Sequence, residues 1–298
     1  MPNTSILETD FAELSDGRII ELIEDPSDKT KTRFIVYAAA SKSIEYCDSV
    51  DDGQRTLVPL SRAHSHLRHV CLASGAAPFG TTSNLEAAVG SFLKSTYDVA
   101  PKWRIATAAF VLGTWLPERL GVAPYLSLVG PPSSGKTCVM RVLNLLCYRS
   151  LFVSSTSASA LYETSDRLRP TILLDETLTA GHPREIIHIL KTSSTPGAVS
   201  LRKDKARLTF GPKVFAWLEL PNDAALNSRC LIIPMQKTSR TDLWDVRNPT
   251  ILEWARQLRM QLMQFRLEHL RDIAIPKIPD GIPLSGRPVS RSCVTILR

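Results

Sequence analysis

No two of the six cysteines are spaced as Cys-x-x-Cys; residues 47, 71, 138, 147, 230 and 293 lie scattered along 298 positions. That spacing argues against both a zinc ribbon and a disulfide framework, so reduced and mostly buried thiols are expected. Long apolar runs are missing as well. The longest, Ile105 to Trp115 and Cys230 to Met235, stop well short of the roughly 20 residues a helix needs to cross a bilayer. No membrane partner is expected. The amino terminus, Met1-Pro-Asn-Thr-Ser-Ile-Leu-Glu-Thr-Asp10, lacks the basic and apolar regions of a secretory leader, which points to a cytoplasmic protein. Acidic charge is in moderate deficit: 36 Lys and Arg against 29 Asp and Glu give +7. Such an excess favours polyanions without requiring one.

What the chain does have is an ordinary hydrophobic share of 44%, enough for a substantial core. Two β-branched runs, Gly17 to Glu24 and Arg33 to Tyr37, flank the turn-rich Asp25-Pro-Ser-Asp-Lys-Thr30 and predict a β-hairpin. From Asn84 to Leu120 the pattern turns helical, with apolar residues at 85, 89, 92 and 93 and then from Trp103 onward. Beyond it, strand-like and helix-like segments alternate from Tyr125 to Met235, the pattern of a mostly parallel sheet with helices on both faces. Pro249 to Ile273 reads as one long amphipathic helix whose apolar positions are only partly in register, a lid or docking element. The expected organisation is a β-containing module over 1–83, a helical bridge over 84–120, an α/β core over 121–240, a helical segment over 241–275 and a loosely ordered tail over 276–298.

The sharpest motif is Gly130-Pro131-Pro132-Ser133-Ser134-Gly135-Lys136-Thr137. Two glycines let the backbone curl so that several N–H groups face one phosphate chain. Lys136 then places a charge at the β- and γ-phosphates, and the Thr137 hydroxyl ligates Mg²⁺. Such a pattern arises by chance in a chain this long only about once in a hundred cases. Its setting matches its chemistry. Tyr125 to Val129 is a buried-strand pattern, and the run from Cys138 is a helix whose N-terminus would face the anion. Residues 130–138 are therefore the expected ATP-binding segment, with ATP and Mg²⁺ as ligands.

Downstream, Pro170-Thr-Ile-Leu-Leu-Asp175-Glu176 is a β-run ending in two carboxylates. One acid would hold the metal and the next would deprotonate the attacking water, so Asp175 joins Thr137 as a metal residue and Glu176 is the expected base.

These motifs resemble AAA+ P-loop ATPases, and especially the superfamily 3 helicase-like and primase-associated ATPases of phages, plasmids and mobile elements, over roughly Tyr125 to Met235. The resemblance implies a hairpin that points at DNA in a central channel. Gly197 to Phe210 has that form and carries Arg202, Lys203, Lys205 and Arg207. A basic turn is a compact probe for a phosphate backbone, and is equally the composition of a merely solvated tip. Asn227-Ser-Arg-Cys230 resembles the Ser-Arg-Cys motif of clamp loaders, which makes Arg229 an arginine finger reaching a neighbouring subunit's nucleotide. That role implies a homo-oligomer, most simply a ring; a surface or capping arginine is the plainer alternative. The chain departs from the helicase pattern at Trp217-Leu-Glu-Leu-Pro221, where Leu218 takes the place of a water-positioning Asn. Glu219 or Asn222 is left to substitute, and a lid arginine is left unassigned between Arg256, Arg259 and neither.

The leading expectation is an oligomeric ATPase acting on DNA, single strands favoured, as a helicase-like or primase-associated motor. An ATP-driven protein remodeller or switch without nucleic acid is the alternative, and a small-molecule kinase fits less well. His64, His66, His69 and Cys71 suggest a metal site only weakly, and Trp103 and Trp115 read as core.

Overall fold

The computed structural model describes residues 5–64, 67–175, 184–197, 199–202 and 205–272. Its amino-terminal part is built of short strands: β1 (Ser5–Thr9), β2 (Phe11–Glu13), β3 (Arg18–Glu24), β4 (Thr32–Ala38), β5 (Ser43–Cys47), β6 (Val50–Asp51) and β7 (Arg55–Pro59). The expected hairpin is the β3–β4 pair, extended by β2 and β5 into an antiparallel sheet, while β7 lies between β1 and β6 in a second, small sheet. Asp25 and Asp28 shape the β3–β4 turn by accepting from Ser27 and Thr30, main chain and hydroxyl alike.

Both faces of the larger sheet are covered. Ile19, Ile23, Ile35 and Tyr37 join the main core, and Ile20, Leu22, Phe34 and Val36 pack with Val50, Leu57, Leu60 and Leu67. Double burial explains why Ile19 to Ile23 is a nearly unbroken apolar run rather than an alternating one.

The helical bridge follows as α1 (Thr82–Thr96), capped by the Thr81 hydroxyl, and α2 (Pro101–Thr114), which starts on a proline whose missing N–H costs nothing there. The α/β core then runs β8 (Tyr125–Val129), α3 (Lys136–Leu146), β9 (Leu151–Val153), α4 (Ala158–Leu168), β10 (Ile172–Leu174), α5 (Arg184–Thr192), a hairpin of β11 (Val199–Arg202) and β12 (Lys205–Leu208), β13 (Lys213–Trp217), α6 (Ala224–Asn227) and β14 (Cys230–Pro234). The five core strands are all parallel, in the order β14-β8-β13-β10-β9.

Period-2 alternation sorts their side chains. Leu126, Leu128, Leu173, Val214 and Ala216 face α3, whereas Tyr125, Ile172, Leu174, Phe215 and Trp217 face α4, α5 and α6. The final helix, α7 (Pro249–His269), packs along α1 and α3. Among the described residues no helix is long and apolar enough to cross a membrane. No disulfide links the described cysteines; Cys293 and the tail over 276–298 lie outside the described residues.

A buried ionic cluster joins these parts. Arg266 of α7, wholly inaccessible, donates to Glu21 of β3 at 2.5 Å and to both Glu118 oxygens at 2.8 and 2.9 Å. Arg149, between α3 and β9, reaches the other Glu21 oxygen at 3.0 Å and pairs with Asp10. The Tyr148 hydroxyl also donates to Glu21, and its ring lies under both guanidinium groups. Burial pushes the Tyr148 phenol pKa well up.

Lys213, at the start of β13, is a buried ammonium of another kind. It donates to the Thr209 and Gly211 carbonyls at 3.2 and 3.0 Å, and burial pushes its pKa down to about 7. With the folded value depressed, the unfolded chain holds the extra proton between about pH 7 and the usual lysine range, so this residue makes stability rise with pH there. Lys213→Met is expected to flatten that rise and to add about 1–4 kcal/mol at pH 7. Denaturant midpoints at pH 7 and 9 measure both.

Candidate active site

The glycine-containing loop over 130–135 hangs between β8 and α3, and its glycines are there for separate reasons. A Cβ on Gly130 would sit 2.2 Å from the Met235 carbonyl oxygen, because the chain leaving β14 is pinned beside β8 by the Met235 N–H to Val129 O bond at 2.6 Å. No side chain fits. Gly135 instead has φ +87°, and Ser133 shares the left-handed region at +62°. These two residues curl the loop and start α3 at Lys136 with no side-chain cap. The positive end of the helix dipole is thus left for an anion.

Lys136 is buried, and its ammonium donates back to the Gly130 and Pro131 carbonyls at 2.6 and 2.9 Å. Ser134 is also buried, and among the described residues its hydroxyl has no hydrogen-bond partner. Such an orphan is unfavourable unless a ligand uses it, and a phosphate oxygen at this loop would. Pro131, Pro132 and Ser133 are exposed on the rim. Cys138, one turn into α3, is half-buried with its Sγ against the Thr96 carbonyl at 3.7 Å; burial and then Asp245 hold its thiol pKa up.

Asp175 directly follows β10 at the same edge of the sheet, its N–H bonded to Val153 O at 3.1 Å. The Thr137 hydroxyl donates to its Oδ2 at 3.5 Å. A hydroxyl and a carboxylate side by side form the hard oxygen set that suits Mg²⁺. Glu176 lies outside the described residues. Glu219 is exposed two residues beyond β13, and the strand end leading to it is tied to the loop by the Gly130 N–H to Trp217 O bond at 3.2 Å. Lys136, Thr137, Asp175 and Glu219 therefore share one edge.

The fold is P-loop NTPase-like. No protein-family model and no curated protein matches the chain. Among solved structures it is similar to the apo A form of the NrS-1 C terminal region, with 11% identity over 84% of this chain and 68% of that one, and a TM-score of 0.44. It is similar to JCV helicase at 12% identity over 73% and 60%, TM-score 0.37, and to that helicase bound to an inhibitor at 15% over 63% and 54%, TM-score 0.39. The chain spans less than two thirds of both helicase chains. Likenesses this distant transfer no residue roles.

Arg229 stands at the other edge. It precedes β14, whose first residue pairs with Tyr125 while its last pairs with Val129. The length of that strand, about 13 Å at 3.3 Å per residue, separates Arg229 from the level of the loop that holds Lys136. Its Nε donates to Ser194 Oγ at 3.2 Å and its Nη1 to the Ala225 carbonyl. Asp223 caps the short α6 before it, accepting from Leu226 N at 3.0 Å.

The root of the β11–β12 hairpin lies at this edge too, where Ser193 O accepts from Gly211 N and Ser194 O from Ala123 N. Of the basic hairpin residues, Lys205 is exposed. Arg207 is half-buried and paired with Asp166 of α4 at 3.0 Å. Arg202 occupies the last position of β11, opposite Lys205; Lys203 lies outside the described residues.

Elsewhere, Arg256 bonds Glu253, and Arg259 donates to the Leu145 carbonyl at 2.7 Å. Among the described residues no group of three or more His, Cys, Asp or Glu side chains could hold a metal; His66 is not one of them. Trp115 is fully buried and Trp103 packs against the main core. Ser194 and Asp166, which hold Arg229 and Arg207, carry no motif, and only the three-dimensional structure identifies them.

Proposed function

We propose that this chain is an oligomeric, Mg²⁺-dependent ATPase that acts on DNA in a helicase-like manner, its active site shared between neighbouring copies. The observation that carries the reading is the meeting of the uncapped α3 N-terminus, Lys136 and the Thr137–Asp175 pair at one edge of a parallel sheet.

Thr137 and Asp175 would hold Mg²⁺, which would supply neutralising charge to the nucleotide's phosphates. The Lys136 ammonium exchanges its loop carbonyls for phosphate oxygens, and the N–H groups at the start of α3 orient the chain of phosphates. Glu176 would take the proton of the attacking water, and Glu219 or Asn222 would steady that water. Arg229, too far along the sheet for its own site, reaches the nucleotide of the next copy and stabilises the charge that develops there. The hairpin, rooted beside Arg229 through Ser194, would move with that contact and pass it to DNA through its basic residues, Lys205 among them.

One observation favours a second reading, an ATP-driven remodeller of protein: Arg207 is committed to Asp166 rather than to solvent. Steady-state ATP turnover with and without single-stranded DNA, at low and moderate salt, separates the two. The DNA reading expects stimulation that fades with salt, each neutralised phosphate adding about −0.7 to the slope of log affinity on log salt. Turnover indifferent to DNA would favour the remodeller.

A further inference from the structure

A two-stranded ribbon has two faces, and alternate residues share one. In the β11–β12 hairpin the register pairs Val199 with Leu208, Ser200 with Arg207 and Leu201 with Ala206. One face therefore gathers Val199, Leu201, Ala206 and Leu208, and the other gathers Ser200, Lys205 and Arg207. The polar face is fastened to the chain's own α4. Arg207 pairs with one Asp166 oxygen, and the Leu208 N–H donates to the other at 2.9 Å. The apolar face is left open: Val199 is 54% exposed, Leu201 79% and Leu208 36%. A lone hairpin cannot bury such a face by itself, and contiguous exposed apolar side chains mark an interaction surface.

We propose that this apolar face docks on a second copy of the chain, head to tail, and that the hairpin is in part an assembly element. The inference rests on the shared-site reading above and names the surface that reading requires. Three observations select this occupant. The face lies on a hairpin whose root is bonded to Arg229 through Ser194, so it belongs to the end of the molecule that must meet a neighbour's phosphate loop. The receiving end has apolar side chains of its own, because Leu218 and Leu220 are exposed where β13 leaves the sheet beside that loop. A polyanion would select cations, and the face in question has none. Two unlike patches at opposite ends of one chain make a heterologous contact, which closes into a ring when the rotation per subunit allows.

The test compares the full chain with Leu201→Ser, the double variant Val199→Ser/Leu201→Ser, and Lys205→Ala. Mass is followed against concentration by sedimentation with Mg²⁺ and a non-hydrolysable ATP analogue, alongside nucleotide affinity and single-strand binding. Leu201→Ser is expected to raise the association midpoint at least tenfold and the double variant further, with nucleotide affinity unchanged, which also shows that the fold is kept. Lys205→Ala is expected to assemble as the wild type does. Assembly of both serine variants at the wild-type midpoint would overturn the proposal and leave the shared site standing. The same result with loss of single-strand binding would assign the face to nucleic acid instead. A wild-type chain that stays monomeric with nucleotide bound would overturn the shared-site reading and this proposal together.

Discussion

Replacing Arg266 by methionine is expected to lower the unfolding free energy by about 3–5 kcal/mol, because it leaves Glu118 without its cation and Glu21 with Arg149 alone. Arg266 is inaccessible and serves Glu21, Glu118 and the Trp115 carbonyl at once. Methionine fills much of the space and supplies none of those donors. Removing Glu21 as well, in Glu21→Leu/Arg266→Met, should recover part of the loss, since the uncompensated charge goes with it. Denaturant midpoints at constant m-value measure the three differences. Losses that merely add would mean that the two residues do not act as a pair.

Arg266 also gives an acid signature, through Glu118. Burial works to raise the Glu118 pKa, but the charge and hydrogen bonds of Arg266 outweigh it and hold the carboxyl below its usual value. A depressed folded value contributes stability that is complete above the unfolded pKa and is lost as pH falls through the folded one. The wild type should therefore lose this contribution only below the usual carboxylate range, and Arg266→Met should show a shallower acid slope there.

This cluster also shows where sequence reasoning ran short. The parallel core was legible because its evidence is local: apolar runs of strand length, each followed by a helical pattern, with a loop whose glycines and lysine act within eight residues of each other. Glu21 was not. It stands inside Ile19-Ile-Glu-Leu-Ile23 as one charge in a strand, and its partner lies 245 positions away. Arg266 has a matching trace. The apolar stripe of α7 reads as out of register because one of its inward positions is an arginine, a defect in a hydrophobic pattern and a requirement of the folded one.

At the site, the relation of Thr137 to Asp175 follows from strand, loop and helix order. The apolar face of the hairpin does not follow from composition, which shows four basic residues between 202 and 207; it needs the register, and the Asp166 contact that fixes which side turns inward. Lys213 likewise looks like an ordinary strand-edge lysine until the Thr209 and Gly211 carbonyls are seen around it.

Lys136→Ala is expected to reduce turnover by about 10²–10³-fold or more and to abolish nucleotide binding with it, whereas Arg229→Ala should lose about 10³-fold in turnover at nearly unchanged affinity. The contrast comes from the two edges of the sheet. Lys136 sits in the loop and, on the proposed reading, would meet the phosphates in the ground state, so its loss would remove binding. Arg229 immediately precedes β14 at the far edge, so on the shared-site reading its contribution would be confined to contacts between copies. Glu176→Gln completes the set, binding ATP and failing to activate water. Mixing Arg229→Ala with Glu176→Gln under subunit exchange should restore activity, because a site with an intact base on the first protein receives its arginine from the second. In a random equimolar assembly about a quarter of the heterologous interfaces would have both. Recovery approaching that fraction of wild-type turnover, from two proteins that are inactive alone, requires an arginine supplied across an interface. A mixture no more active than its parts would return Arg229 to a local role, holding α6 to the Ser194 turn, and would leave the phosphate loop to work within a single chain.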